Sequence, residues 1–246
     1  MNVRRTARIA GTALAVAGVA MLAWVVVVWR WQDPFTALYT HWKQHQLARS
    51  YNRRFDAYHP VRLEHARQIS LAAVRAAVDR EARLYRIHSH RGEPIGRIRV
   101  PRLHLNMILV NGTDDGSLKK GPGRDLRTYM PGEGQLIYIA GHRTTYLAPF
   151  AHIERLRAGD SVTLEVPYGT FRYRIYRHVI VPADDLSVLH SHGREVVALQ
   201  ACHPRFFASH RYIAYGRLVR VEPRGGAAFT PSATTVAAAP LAAARG

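Results

Sequence analysis

From Ile9 to Trp29 the chain runs 21 residues without a formal charge. At about 1.5 Å per residue, a helix of that length spans the roughly 30 Å hydrocarbon core of a bilayer. Arg4, Arg5 and Arg8 precede it, and Trp24, Trp29 and Trp31 lie toward its far end, where aromatic rings favour the interface. A cleavable leader has a shorter apolar region, about 7 to 15 residues, followed by a small-x-small site. Trp29-Arg30-Trp31-Gln32 is not such a site. The reading is a basic segment over 1–8 and an uncleaved transmembrane anchor over 9–31. Arg30, Lys43 and Arg49 follow the span closely, so the positive-inside count does not fix its orientation.

After the span, Asp33-Pro34 reads as an N-cap with proline at the first helical position. Phe35, Leu38, Tyr39 and Trp42 then recur at helical spacing as one apolar stripe. Two readings stand: an interfacial helix lying along the membrane, or a helix packed on the protein's own domain. Pro60 breaks this element. A second helical run follows over about 61–87, with Leu71, Val74, Val78, Ala82 and Tyr85 as its buried face. Together these give a helical juxtamembrane stalk over 32–92, closed by Gly92-Glu93-Pro94.

From Ile95 the pattern changes to period two. Ile98 and Val100 alternate with Arg97 and Arg99; Val162, Leu164 and Val166 alternate with Ser161, Thr163 and Glu165; Phe171, Tyr173 and Ile175 alternate with Arg172 and Arg174. Further runs at 105–110, 135–140, 196–201 and 212–221 bring the total to about eight strands, with short helical turns over 114–120 and 150–156. Many short strands with few helices make a mainly β fold, a closed or nearly closed barrel, over 93–223. From Arg224 to Gly246 the chain is glycine, alanine, threonine, serine and proline without apolar periodicity, which reads as a disordered tail.

The formal net charge is +18, and only Lys43, Lys119 and Lys120 of the 35 basic residues are lysines. Arginine-rich coding in a GC-rich genome explains this without function; attraction to phospholipid or cell-wall anions explains it with one. Nucleic acid is excluded as the expected partner, because the basic residues are scattered and no basic patch is interleaved with stacking aromatics.

Val196 to Ala201 is an apolar run ending on Cys202, the one cysteine of the chain. It is either an inert small hydrophobe or a thiol kept for chemistry. Its place at a strand tip favours chemistry, as does a second run, Gln135 to Ala140, which ends on Gly141-His142-Arg143. Two strands that each deliver one reactive side chain at their tips can build a Cys-His site. An unperturbed thiol, with pKa about 8.5, is mostly protonated at neutral pH, so a partner must raise its thiolate fraction. Arg205 and Arg211 both follow the cysteine and either can supply fixed positive charge.

Ile139-Ala140-Gly141-His142-Arg143-Thr144-Thr145-Tyr146 with Pro149-Phe150 resembles the histidine segment of sortases, especially the actinobacterial class E type. Leu199-Gln200-Ala201-Cys202, with Arg211 nine residues past the cysteine, resembles that family's cysteine segment and its arginine. The resemblance covers roughly 93 to 222. It implies an eight-stranded sortase barrel held outside the cell membrane by a single span. It implies Cys202, His142 and Arg211 as catalytic residues, with Arg211 favoured over Arg205, and Thr144, Tyr146 and Ala201 as residues near the substrate. It implies no cofactor and no metal. The implied reaction cleaves a Leu-Ala-x-Thr-Gly or Leu-Pro-x-Thr-Gly-like signal at the C-terminus of a secreted protein through a thioester, then passes the protein to an amine on a peptidoglycan precursor or pilin. Family members usually carry threonine where this chain has Ala198 and Ala201, which leaves open a degenerate, non-catalytic scaffold. L,D-transpeptidases also pair cysteine with histidine, but Ser191-His192-Gly193 here is followed by Arg194. His88, His90, His190 and His192 match no strong metal-ligand spacing.

Overall fold

The alternation that begins at Ile95 becomes eight strands. In the computed structural model, which describes residues 3–31, 34–59 and 70–231, they close into a barrel. The strands are β1 (Pro94–Val100), β2 (Leu105–Asn111), β3 (Gly123–Arg124), β4 (Leu136–Ala140), β5 (Ser161–Val166), β6 (Gly169–Pro182), β7 (Val196–His203) and β8 (His210–Pro223). Around the barrel they run β1-β2-β3-β4-β7-β8-β6-β5, so no edge is left open to pair with another chain. β2 with β3 and β4 with β7 are parallel; every other neighbouring pair is antiparallel.

Period two decides what each strand buries. Val162, Leu164 and Val166 of β5 enter the interior, as do Phe171, Tyr173 and Ile175 of β6, while Arg172 and Arg174 stay outside. Burying each such side chain contributes about 1.5–3 kcal/mol. β4 uses both of its faces. Ile137 and Ile139 join the interior with Val197, Leu199 and Ala201 of β7 and Ala214 of β8. Leu136 and Tyr138 lie on the outer face with Ala198 and Ile213, packed under Val179, Val181, Val188 and Leu189. The β6–β7 connection, with a 3₁₀ turn at Leu186–Leu189, therefore covers part of that outer face.

Among the described residues, three helices precede the barrel: α1 (Val3–Trp31), α2 (Pro34–Ala57) and α3 (Leu71–His88). Within α1, Arg4–Val27 has mean hydropathy 2.2, none of it buried in the protein, and is long and apolar enough to cross a membrane. Where the sequence reads as a stalk, α2 and α3 lie on the barrel. The face that docks α2 is not its apolar stripe. Leu38, Tyr39 and Trp42 are 71%, 41% and 52% exposed. The docked face is largely polar and satisfies backbone groups of the barrel. Thr40 Oγ1 donates to the Lys119 carbonyl at 3.0 Å, and the Tyr51 hydroxyl donates to the Glu165 carbonyl at 3.0 Å. The Gln44 amide accepts from Ile108 N–H at 2.7 Å and donates to the Ile108 and Lys120 carbonyls at 3.1 and 2.8 Å.

α3 starts under a Ser70 cap, whose Oγ accepts from Ala73 N–H at 3.3 Å. Val78 and Ala82 reach the core, but Leu71, expected there, is exposed in the first turn. The expected break at Pro60 and helix start at Val61 lie outside the described residues, as does the tail from 232 onward. Over 224–231, Phe229 forms a bridge with Val221. The turn expected over 114–120 is α4 (Asp115–Leu118), capped by Asp114. Over 150–156 the chain makes only a 3₁₀ turn, Ile153–Arg155.

Candidate active site

β4 and β7 run parallel with Ala140 opposite Gln200, and Gly141 N–H adds a bond to the Gln200 carbonyl at 3.0 Å. Two residues beyond that pair stand His142 on one chain and Cys202 on the other. β7 and β8 run antiparallel with Cys202 directly opposite Arg211. Directly opposed residues share a face, with Cβ atoms about 4.5–5.5 Å apart. Alternation along β7 sets Cys202 on the outer face with Ala198 and Gln200; along β8 it sets Arg211 there with Ile213 and Tyr215. The thiol and the guanidinium thus share the face that carries the Leu136–Tyr138–Ala198–Ile213 patch.

Arg211 is half-buried and held in place. Its Nη1 donates to the carbonyls of Ala208 and His210 at 2.8 and 3.0 Å. Its charge is felt on the patch: burial raises the Tyr138 phenol's pKa, Tyr215 adds to the rise, and Arg211 opposes it. Arg205 lies in the turn after β7, its guanidinium beside the Phe206 ring, with no strand to face it toward Cys202.

His142 is half-buried, and its Nε2 is enclosed without a hydrogen-bond partner. Its ring centroid lies 5.0 Å from that of Tyr146, tilted by 37°. Burial lowers the imidazole pKa, Asp115 opposes that, and Lys119 adds to the lowering. The chain reaches His142 only through glycine: a Cβ on Gly141 would stand 2.7 Å from Phe150 Cδ2. Phe150 N–H in turn donates to the His142 carbonyl at 3.2 Å. A buried polar atom without a partner calls for an explanation, and a catalytic role is one.

Thr144 and Tyr146 are half-buried in the loop that follows His142. Ala201 is fully buried in the barrel interior, so its methyl faces away from the Cys202 side of the sheet. His203 also faces away from Cys202, toward Arg143. Ser191 lies at the opposite end of β7, where its Oγ accepts from Leu136 N–H at 3.0 Å. Among the described residues no three His, Cys, Asp or Glu side chains gather closely enough to hold a metal ion.

Sequence reasoning passed over Arg143. It is buried, and its Nη1 donates to the Cys202 carbonyl at 3.0 Å and meets His203 Nδ1 at 2.9 Å, while Nη2 binds Glu154 at 2.8 Å. It ties the segment after β4 to the end of β7, and so the histidine side of the site to the cysteine side. Its position next to His142 is the one signal the sequence carries.

A family model described as the sortase domain matches residues 98–219. Sortase D of Bacillus subtilis is 35% identical over 132 residues, which are 52% of this chain and 65% of that protein. Sortase SrtE1 of Streptomyces coelicolor is 26% identical over 150 residues, 54% of this chain and 42% of that protein. The chain therefore spans less than two thirds of either relative's length. Among solved structures, a sortase D5 transpeptidase of Clostridium perfringens superposes with a TM-score of 0.56 at 20% identity, covering 72% of this chain and 98% of that one. Sortase E1 of Streptomyces coelicolor, solved with a tripeptide in its active site, superposes with a TM-score of 0.51 at 24% identity, covering 54% of this chain and 92% of that one. At these identities the structures speak for the fold: the chain has the eight-stranded barrel of sortases, and the family model that matches it over residues 98–219 is the sortase domain.

Proposed function

We propose that this chain is a membrane-anchored cysteine transpeptidase, with its N-terminus inside the cell and its barrel outside. The observation that carries the reading is the pairing of Cys202 with Arg211 across β7 and β8, on the face beside an apolar patch, with His142 at the tip of the neighbouring strand. The Cys202 thiolate attacks the carbonyl carbon of the Thr-Gly bond in a C-terminal sorting signal. Arg211 donates hydrogen bonds to the oxyanion that forms. As the C–N bond breaks, protonated His142 gives its proton to the departing glycine amine, leaving a thioester on Cys202. An incoming amine then attacks the thioester, His142 takes up its proton, and the thiolate leaves. Burial of His142 works against the protonated form needed for the first step.

The alanines at 198 and 201 do not argue for the scaffold reading. A hydroxyl at 201 would enter the barrel interior, and Ala198 is sealed under the outer patch, so neither position offers a group to an approaching peptide. The class E reading rests on the string from Ala140 to Tyr146 and favours Leu-Ala-x-Thr-Gly; the higher identity to sortase D weighs against that class and leaves Leu-Pro-x-Thr-Gly as the alternative. The acceptor is an amine of a peptidoglycan precursor, with a pilin lysine as the variant.

The test is the full chain in detergent micelles with both quenched peptides and either a glycine or a lysine amine, beside Cys202→Ala. Ligation that needs the amine and disappears in the variant supports transpeptidation. Cleavage without ligation makes the chain a hydrolase, and absence of any thiol-dependent product leaves a scaffold. The preferred peptide and amine assign the class and the acceptor.

A further inference from the structure

The loop that follows His142 is unusually constrained. Tyr146, Leu147 and Ala148 have φ of 52°, 60° and 37°, three consecutive side-chain-bearing residues in the left-handed region. Such a run persists only where its surroundings over-determine it. Part of the hold is internal: Ala148 N–H donates to the Thr145 carbonyl at 2.8 Å. The rest comes from α2, more than a hundred residues earlier in the chain. Thr36 Oγ1 accepts from Tyr146 N–H at 3.1 Å. The Tyr39 ring meets the Tyr146 ring edge-on, with centroids 6.4 Å apart and planes at 73°. Tyr146 in turn lies against His142. Lys119 approaches the other side of the Tyr146 ring, at 6.0 Å, and its carbonyl is bound by Thr40 of the same helix.

We propose that Tyr39 and Thr36 of α2 are positioning residues for His142, acting through Tyr146, so that the segment next to the apolar helix α1 completes the histidine side of the site. The inference rests on the proposed role of His142 for its consequence in turnover, but not for the contact chain itself. Neither α2 residue touches the thiol or the imidazole; their effect is to hold the Tyr146 ring over His142 and keep water from it. The groups facing His142 are Tyr146 on its own loop and Asp115 and Lys119 on and just after α4, with Tyr39 behind Tyr146. Loosening the loop hydrates the imidazole, and hydration favours its charged form. The titration midpoint of His142 should then rise toward the ordinary histidine value of about 6.5.

The experiment uses the full chain in detergent micelles and four variants: Tyr39→Ala, Thr36→Val, Tyr39→Phe and Trp42→Ala. The His142 imidazole is titrated by NMR, its signal identified by its loss in His142→Gln, and ligation is measured beside it. Tyr39→Ala and Thr36→Val should raise the midpoint. They should lower kcat about 2- to 10-fold, the range of an aromatic edge contact, with KM changing less. Tyr39→Phe keeps the ring and should match the parent, as should Trp42→Ala, which alters the exposed side of the same helix. Tyr39 is 41% exposed, so its truncation leaves the barrel core untouched. An unchanged midpoint in Tyr39→Ala and Thr36→Val overturns the inference, as does an equal shift in Trp42→Ala. If the parent shows no ligation, the transpeptidase reading fails while the NMR midpoints still decide this one.

Discussion

The two ends of β7 are finished in opposite ways. Before its first residue, Glu195 inserts a carboxylate whose oxygens accept from the Tyr173 hydroxyl at 2.7 Å, from Gly132 N–H at 3.0 Å and from Gly134 N–H at 3.1 Å. Nearby, Glu133 is bound by Arg86 at 2.8 Å and accepts from Met130 N–H at 2.8 Å. At the other end, six residues past Val196, a half-exposed thiol faces an arginine that donates to the carbonyls of its own turn, and the His142 Nε2 has no partner. The turn beyond carries Phe206 and Phe207, 61% and 82% exposed, with Phe206 and Ala208 in the left-handed region. A polar group that is buried and fully bonded fixes a structure; one that is buried and unbonded calls for an explanation. On the proposed function the same strand carries a structural end and a chemical end, and substitutions at the two ends should separate turnover from stability.

The largest separation is expected at Cys202. Cys202→Ala should lower ligation by at least about 10⁴-fold, since no other side chain at the tip can take the nucleophile's part. The melting temperature should stay near that of the parent, because the methyl needs less room than the thiol it replaces. Loss of folding in this variant would erase the contrast between the two ends. Next is Arg211→Ala, expected to lower kcat about 10²- to 10³-fold, the usual effect of losing one oxyanion donor. Cys202 should still react slowly with small alkylating agents in that variant, which a misfolded site would not allow. Near-parental turnover would remove Arg211 from the chemistry.

How far these two ends could be read in advance differs for a physical reason. The strands were legible because burial on a barrel writes period two directly into residues such as Val162, Leu164 and Val166. The placement of the candidate site was legible because a cysteine and a histidine close two strand-like runs, which the structure sets side by side with Arg211 opposite the cysteine. Arg143 was not legible: its bond to the Cys202 carbonyl exists only once β4 and β7 are side by side, and its place next to His142 is the one local mark. The docking face of α2 was left open between two readings for a related cause. Apolar spacing selected Leu38, Tyr39 and Trp42, but Thr40 and Gln44 dock through hydrogen bonds to backbone groups, and such contacts have no periodic signature. Glu195 escaped for the same reason, since its three donors come from two distant segments.

The structural end yields a smaller effect of the opposite kind. Glu195→Ala removes the acceptor for three donors and should destabilise the barrel by about 1–3 kcal/mol. Turnover per folded molecule should change less than twofold, because the substitution lies at the far end of the strand from Cys202. The check is thermal melting beside kcat, normalised to titratable thiol. A large fall in kcat with unchanged melting would mean that the two ends are coupled rather than separate.

The finest test asks which force governs Glu195 itself. Burial pushes its pKa up to about 7, while the bonds from Tyr173, Gly132 and Gly134 pull the other way and Glu133 adds to the rise. In an unfolded chain a glutamate titrates near about 4.3. The folded state therefore holds the proton more tightly, and this contribution to stability is complete below pH of about 4.3 and lost as pH rises through about 7. Other groups act in different windows or with the opposite sign. Glu93, bonded by Arg54, is held down to about 2, and its contribution is lost only as pH falls below about 4.3. His142 and His178, both lowered by burial, weaken the fold as pH falls. The raw melting curve mixes these, but the difference between the parent and Glu195→Gln isolates one carboxyl, since glutamine stands in for the protonated acid. The parent should lose stability relative to Glu195→Gln between pH 5 and pH 8, by on the order of 1–3 kcal/mol. A difference that stays flat, or moves in the parent's favour as pH rises, would mean that the three donors outweigh burial and that Glu195 is an ionised anchor at neutral pH.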